Sequence, residues 1–497
     1  MAGIRMTGLA SGLDTQSMIA ELSKAHQVRV DGAKKKQTKA EWKKEAWASL
    51  NTKIFNFYKD SLASFKSAGT YSAKKVNGSL SGVKISAGNG AVTGSHKVKV
   101  ISNASAQMWT GTQISQTDPS ATPVTGETKL SDLGIRQGTV IKVNDKDITV
   151  DQDMTLNGLA KEMKDKGINA NFDSNQGRFY LSSKESGTSF TVTSSDDGAL
   201  AKLGLDFSTE EARKGIVPAS KAKIEYNGVE YESESGSFNI NGLTIEVSAS
   251  DEDLEKQAVQ SFVVDTDVDA IYDKVKSFVK EYNTLIGEMN ILYDAPSSKG
   301  YEPLTSDEKD AMTEDEVKNW EKKIKDSLLR RDSTISTLLT SMRTTLNKSV
   351  EVTAADGTKN YGLSSFGITT GTYTEKGLLH IAGNPDDSDY SDKADMLKSA
   401  ILEDPDAVIQ TFTKIGGEMY DNLQKAMKST ELSSALTFYN DKQIDSEIKE
   451  YKDDVKALQQ KLQADEDKYY KQFSAMEAAM SKFQSQQSYI SQLFGGM

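Results

Sequence analysis

At 497 residues the chain has room for roughly two to four domains, and 37% hydrophobic with 27% charged residues suits a folded protein rather than a disordered one. A net charge of −12 argues against general attraction to nucleic acid or anionic membrane. Cysteine is absent, which excludes disulfides, thiolate metal sites and a cysteine nucleophile.

The chain opens on a glycine-punctuated stretch, "TGLASGLDT", from Thr7 to Thr15. It is too short and too glycine-rich for the apolar core of a secretory signal, and no run of about 18 apolar residues follows anywhere. The expected address is therefore the cytoplasm, or export by a route that reads no cleaved signal. From Asp14 to about Phe65 there is no proline, and Gly32 is the single glycine. Asp14 or Thr15 is the expected cap of a long helix. Ile19, Leu22 and Ala25 share one face of it, and Ala40, Trp47, Leu50, Ile54 and Phe57 continue at three-and-four spacing. Between these groups "DGAKKKQTKAEWKK" is polar almost all round, so a helix there needs a partner to hold it.

Between about Gly69 and Val264 the period changes to alternation. "SHKVKVIS" sets Val98 and Val100 against Lys97 and Lys99. "TVIKVNDKDITV", "AKIEYNGVEYES" and "FNINGLTIEV" each read strand, tight turn, strand, with turns at Asn144-Asp145, Asn227-Gly228 and Asn241-Gly242. One helix interrupts them, with Leu156, Leu159, Ala160 and Met163 on one face, and "ANFD" and "RFYLSS" follow as strands. Helical pattern resumes at Val268, Ile271, Val275, Phe278, Tyr282, Leu285 and Met289. Helices are expected near Asp315 to Leu329, at Ser333 to Leu346, and from a cap at Asp404 with Pro405 first in the helix. Glycine and proline are absent between Gly417 and Gly495, which favours helix throughout. There a heptad seam runs through Ile448, Tyr451, Val455, Leu458, Leu462, Tyr469, Phe473, Met476, Met480, Phe483, Ile490 and Phe494, with Asp465 in one seam position and a stutter around it. Such a seam either folds back within a bundle or meets other chains. The polar flanks favour the second.

Catalytic chemistry finds no foothold. Dinucleotide and phosphate-loop glycine patterns are missing. His26, His96 and His380 lie far apart and read as incidental surface residues, so neither a zinc site nor a histidine triad is expected. "NPDDSDYSDKAD", read as a calcium loop from Asp387, lacks glycine at its sixth position and has Lys398 at its twelfth, so a solvated acidic loop leading into a helix is expected. The short basic runs carry no interleaved aromatics and predict no nucleic-acid site. Cofactor and metal are expected to be none.

Several stretches together resemble the bacterial flagellar filament cap family, also called hook-associated protein 2. They are "GLASGLDT" at Gly8 to Thr15, "KKKQTKAEWKKEAWASLNTKIFNF", "TLNGLAKEMKDKGINANFDSNQGRFYLSSKESG", "DTDVDAIYDKVKSFVKEYNTLI", "FGITTGTYTEKGLLHI" with "EDPDAVIQTFT", and "YKQFSAMEAAMSKFQSQQSYISQLFGG". The acidic insertion "YEPLTSDEKDAMTEDEVKNWEKKIKD" departs from that pattern. The expected fold is α+β and multidomain. Terminal helices pair as a coiled-coil leg (1–40 with 455–497), and a helical-bundle-rich middle domain takes 41–70 with 263–454. An inserted antiparallel β-rich head has two small domains, 71–125 with 216–262 and 126–215, the second bearing a flagellin-type motif.

The resemblance implies a non-enzymatic protein, exported through the flagellar type III channel without a cleaved signal, that sits outside the cell at the flagellum tip. It implies a homo-oligomeric ring of roughly four to six subunits that helps exported flagellin fold and insert. Further implied partners are the filament-hook junction proteins and a type III export chaperone at the C-terminal helix. Assembly contacts are expected at Leu9, Leu13, Ile19, Leu22, Leu458, Leu462, Phe473, Met476, Met480, Phe483, Ile490 and Phe494. The alternative function is a surface adhesin whose head binds host mucus or glycans, with Trp109, Tyr226 and Tyr231 as sugar-stacking candidates.

Overall fold

The computed structural model describes residues 14–114, 123–354 and 357–494. The chain divides into two compact units: Ser72–Ala270, and a second formed by the residues before and after it.

The inserted unit, Ser72–Ala270, is antiparallel throughout. Its first core lies between two sheets. One has the strand order Lys74–Asn77, Gln260–Thr266, Gly94–Ser102, Ala222–Tyr226, Val229–Ser233, and the other has Ser237–Ile240, Leu243–Val247, Val83–Ala87. Val98, Val100, Ile224, Phe238, Ile245, Phe262 and Val264 fill it. A second core gathers Ile141, Leu159, Met163, Ile168, Phe179 and Leu181 around the helix Leu156–Asp165. All four residues expected on that helix's apolar face are buried. The three expected hairpins form. Positive φ at Asn144 (48°) and Asp145 (62°), Asn227 (47°) and Gly228 (85°), and Asn241 (54°) and Gly242 (76°) gives mirror-image turns that match the right-handed twist of the strands.

The other unit is mainly helical. Its N-terminal helix, Thr15–Asn56, is capped by Asp14, whose carboxylate accepts from the Ser17 amide at 3.0 Å. The Ser17 hydroxyl first, and then that amide, hold the Asp14 carboxyl below its ordinary range. A π-helical turn, Phe57–Leu62, follows directly. The wider turn shifts the helix face, so Ile54, Phe57, Tyr58, Leu62 and Phe65 are all buried. Phe65 stacks on Phe278 at 3.7 Å and meets Phe412 at 5.3 Å, while Tyr71 donates to the Phe65 carbonyl at 2.6 Å. Gly416 permits this approach, since a Cβ there would stand 2.8 Å from the Phe65 ring. Helices Val268–Tyr293, Ser333–Leu346 and Pro405–Ala426 complete the core, the last capped by Asp404 with Pro405 first, as expected.

Two expectations fail here. Helix does not run unbroken from Gly417. It stops at Ala426 and restarts at Asp441, and the break is made without glycine or proline by Leu436 in the left-handed region (φ 64°). The histidines are not incidental surface residues either. His96 is buried, its Nε2 3.0 Å from the Val92 carbonyl oxygen and its Nδ1 2.8 Å from the Tyr226 hydroxyl. His380 stacks on Tyr390 and stands between Asp387 (2.6 Å) and Glu375 (3.1 Å). The acidic loop around Asp387 is thus a fastening for His380, and it ends as expected in a helix, Met396–Glu403, capped by Asp395.

Candidate functional site

The N-terminal helix lies against the C-terminal helix Asp441–Phe494, which has 54 residues against its partner's 42. Three ion pairs fix an antiparallel register: His26–Asp465 at 3.4 Å, Glu41–Lys452 at 3.2 Å and Lys44–Asp445 at 2.5 Å. Their residue numbers add to 491, 493 and 489, so a residue and its opposite number total about 490.

The seam thins along its length. At the base, Trp47 is buried and stacks on Tyr439 with ring centroids 5.3 Å apart, and Asn51 accepts from the Phe438 amide at 2.8 Å. Leu50, Ile54, Ile444, Ile448 and Val455 are buried beside them. Further along, Tyr451, Leu458 and Leu462 are half-buried. There the inward residues of the N-terminal helix are Thr15, Ile19, Ser23 and Val30. Leu22 and Ala25, expected on that face with Ile19, are exposed instead, Leu22 by 49%. A four-residue step from Thr15 through Ile19 to Ser23 sets the contact, and it carries Leu22 to the flank. The seam is partly polar. Ser23 Oγ and Asp465 Oδ2 are buried without a hydrogen bond, and His26 meets the aspartate only at ion-pair distance. A polar layer of this kind weakens a helix pair while fixing its register.

By this register Asp14 stands level with about residue 476. The C-terminal helix continues past it for about 18 residues, some 27 Å at 1.5 Å per residue. Phe473 and Met480 are half-buried, whereas Met476 (37%), Phe483 (71%) and Ile490 (52%) are exposed. The structure therefore places Ile19, Leu458, Leu462 and Phe473 in or beside the seam, and the outer residues on an open stripe. Leu9 and Leu13 lie outside the described residues, and of Phe494 the structure describes only its place at the helix end.

The lysine-rich segment has the partner its polarity called for. The acidic insertion forms two short helices, Ser306–Asp310 and Glu314–Asp326, each opened by a capping box at Thr305 and Thr313. Glu308 accepts from Lys35 at 2.9 Å, Lys325 lies 4.4 Å from the centroid of the Trp42 ring, and Trp47 Nε1 donates to Asp332 at 3.3 Å. The Thr305 amide, with Lys35 behind it, holds the Glu308 carboxyl below its ordinary range. Nothing in the sequence pairs these two segments, because the contacts of the splint are charged and its apolar content is small.

Among the described residues no cluster of His, Asp or Glu is arranged to hold a metal ion, and no helix is long and apolar enough to cross a membrane. The aromatics considered for sugar stacking are occupied. Tyr226 is buried against His96, Tyr231 meets its edge, and Trp109 sits between Phe190 and Phe207 at 4.8 Å from each.

The family model for the flagellar hook-associated protein 2 C-terminus matches residues 219–485, and that for its N-terminus matches residues 11–107. A flagellar hook-associated protein 2 from Halalkalibacterium halodurans is 22% identical, over 99% of this chain and 100% of its own length. That of Escherichia coli K12 is 23% identical over 99% and 98%. The crystal structure of the D1-D2-D3 domains of the E. coli flagellar cap protein FliD superposes with a TM-score of 0.51 at 19% identity, covering 76% of this chain and 95% of that one. With more than half its length matched by one family model, the chain belongs to the flagellar hook-associated protein 2 family, the caps of the flagellar filament.

Proposed function

We propose that the chain caps the filament as a ring of copies and helps exported flagellin fold into place, with the paired terminal helices as a leg that engages filament subunits. The leg takes 1–40 and 455–497, and the middle domain 41–70 and 263–454. The head comprises 71–125 with 216–262, and 126–215. The two separate cores of the inserted unit support the head division. Export runs through the flagellar type III channel without a cleaved signal. A chaperone covers the C-terminal helix before assembly, and the junction proteins meet the leg before flagellin does.

One observation carries the reading: the apolar seam of the C-terminal helix continues to Ile490 beyond the level at which Asp14 begins its partner. Apolar residues at helical spacing on an otherwise polar helix are what a groove on another chain takes up. Met476 and Met480 add side chains that adapt to changing partner geometry. Removing residues 1–40 together with 455–497 is expected to abolish flagellin incorporation at growing filament ends. Filaments of ordinary length would overturn the role given to the leg.

A further inference from the structure

The charges on the paired terminal helices, where the leg passes into the middle domain, are sorted in a way that the fold itself does not use. Between Arg29 and Lys44 the N-terminal helix carries seven lysines and arginines against two carboxylates, in a chain of net charge −12. The fold draws on some of them: Lys35 binds Glu308 and Lys44 binds Asp445. Arg29, Lys36, Lys39 and Lys43 have no carboxylate partner among the described residues. At 100° per residue these four share one face, with Arg29, Lys36 and Lys43 at heptad spacing. Gly32 lies in the same row, with nothing within 4 Å of where a Cβ would be. The face toward the C-terminal helix (Ile19, Ser23, Val30) is a different one, and the face toward the splint (Lys35, Trp42) borders the row at Lys39, which is exposed but lines the cleft with Lys35, Glu302 and Trp320.

The C-terminal helix has the opposite row. From Asp441 to Asp454 it carries six carboxylates against three lysines. Glu447, Glu450 and Asp454 follow the same three-then-four spacing as Lys36, Lys39 and Lys43, and none of the three is in an ion pair among the described residues. With opposing residue numbers totalling about 490, Lys36 is level with Asp454, Lys39 with Tyr451 beside Glu450, and Lys43 with Glu447. The two rows therefore match in sign, spacing and height along the helix pair, on separate helices of one copy.

We propose that these rows are a docking surface for a second copy of this chain. The basic row of one copy, Lys36, Lys39 and Lys43, lies against the acidic row of its neighbour, Glu447, Glu450 and Asp454, at the junction of leg and middle domain, with the two terminal helix pairs parallel and side by side. Parallel pairs bring equal heights together, which is what the level rows require. Like rows repel, so the same charges also exclude a slipped or inverted neighbour. The inference rests on the proposed ring of copies, because it names the contact that aligns neighbouring legs.

The test is self-association of the full chain, without flagellin, by analytical ultracentrifugation. The variant K36E/K39E/K43E has two acidic rows, and E447K/E450K/D454K has two basic rows. Each alone is expected to self-associate at least about tenfold more weakly than the parent, and an equimolar mixture to associate as the parent does. Raising salt from about 0.05 to 0.5 M is expected to weaken the parent and the mixture alike. Circular dichroism checks that both variants keep their helix content. If a reversal unfolds the leg, K36Q/K39Q/K43Q removes the attraction without adding repulsion, and should weaken association by a smaller factor. A folded reversal variant that associates like the parent, or a mixture that stays dissociated, overturns the proposal. So does unchanged self-association accompanied by lost binding to purified flagellin, which would assign the rows to that partner. Filament growth is scored separately, so failure here is distinguishable from failure of the capping role.

Discussion

The base and the tip of the terminal helix pair are built from the same two helices, yet they differ in what surrounds them. At the base, Trp47, Leu50 and Ile54 are 2%, 1% and 0% exposed, closed in by the 427–440 turn and the core beyond it. At the tip, Phe483 and Ile490 repeat the same spacing with water on most of their surface. Periodicity alone thus says nothing about stability, because a stripe contributes only where another element covers it. Between these extremes the Lys35–Trp47 segment is held by an acidic splint through ion pairs, a cation–π contact and little apolar burial. The pair of helices therefore passes through three regimes.

The comparison breaks first at its strong end. Phe65→Ala should destabilise the helical unit by about 3–5 kcal/mol, since the ring is 3% exposed, stacked on Phe278 and closed over by Gly416. Urea unfolding followed by tryptophan fluorescence measures this. A loss below about 1 kcal/mol would mean that the aromatic core is not what anchors the leg.

The splint predicts a smaller, pH-dependent effect. The folded-state pKa of Glu308 is depressed, so its contribution is complete above the ordinary value of 4.5 and is lost as pH falls through the lower folded value. The group is largely solvated, so its whole contribution is within about 1 kcal/mol. Glu308→Gln should lower the melting temperature slightly at pH 7, with the gap to the parent closing as the solution is acidified below pH 4.5. A gap that stays constant with pH would show that the carboxylate charge does not hold the splint.

Much of this was legible in the sequence, and what was missed has physical causes. Hairpins at Asn144, Asn227 and Asn241 were readable because residues that tolerate positive φ mark such turns. The caps at Asp14 and Asp404 were readable from side-chain chemistry. The inner face of the N-terminal helix was misjudged because the seam uses Thr15 and Ser23 while Leu22 faces out, so hydrophobicity pointed to the wrong flank. The π-helical turn left no sequence mark, although it decides that Phe57, Leu62 and Phe65 all turn inward. The break at 427–440 was hidden because Leu436 adopts a left-handed conformation that its type rarely takes. At the candidate site, Met476, Phe483 and Ile490 were legible as a stripe, but only the register of three ion pairs shows that the described part of the partner helix ends before them.

The tip carries the sharpest form of the comparison, and there the expected effect on folding is the smallest. Phe483→Ser removes the same ring chemistry as a core substitution, yet it should change the free energy of unfolding by no more than about 0.5 kcal/mol, because a side chain 71% exposed has little contact to lose. In the dilute free chain, amides from Glu477 to Ile490 should exchange with solvent nearly unprotected, while those from Ile444 to Val455 are protected up to the stability of the unit. A helical segment that no described residue covers repays little of the entropy of ordering it, and it can therefore order against a neighbour and release again. If Phe483→Ser leaves folding alone and still stunts filament growth, the exposed stripe is used on another chain. If it destabilises the free subunit by as much as a core substitution, the stripe is covered within the subunit, and tip and base are no longer different in kind.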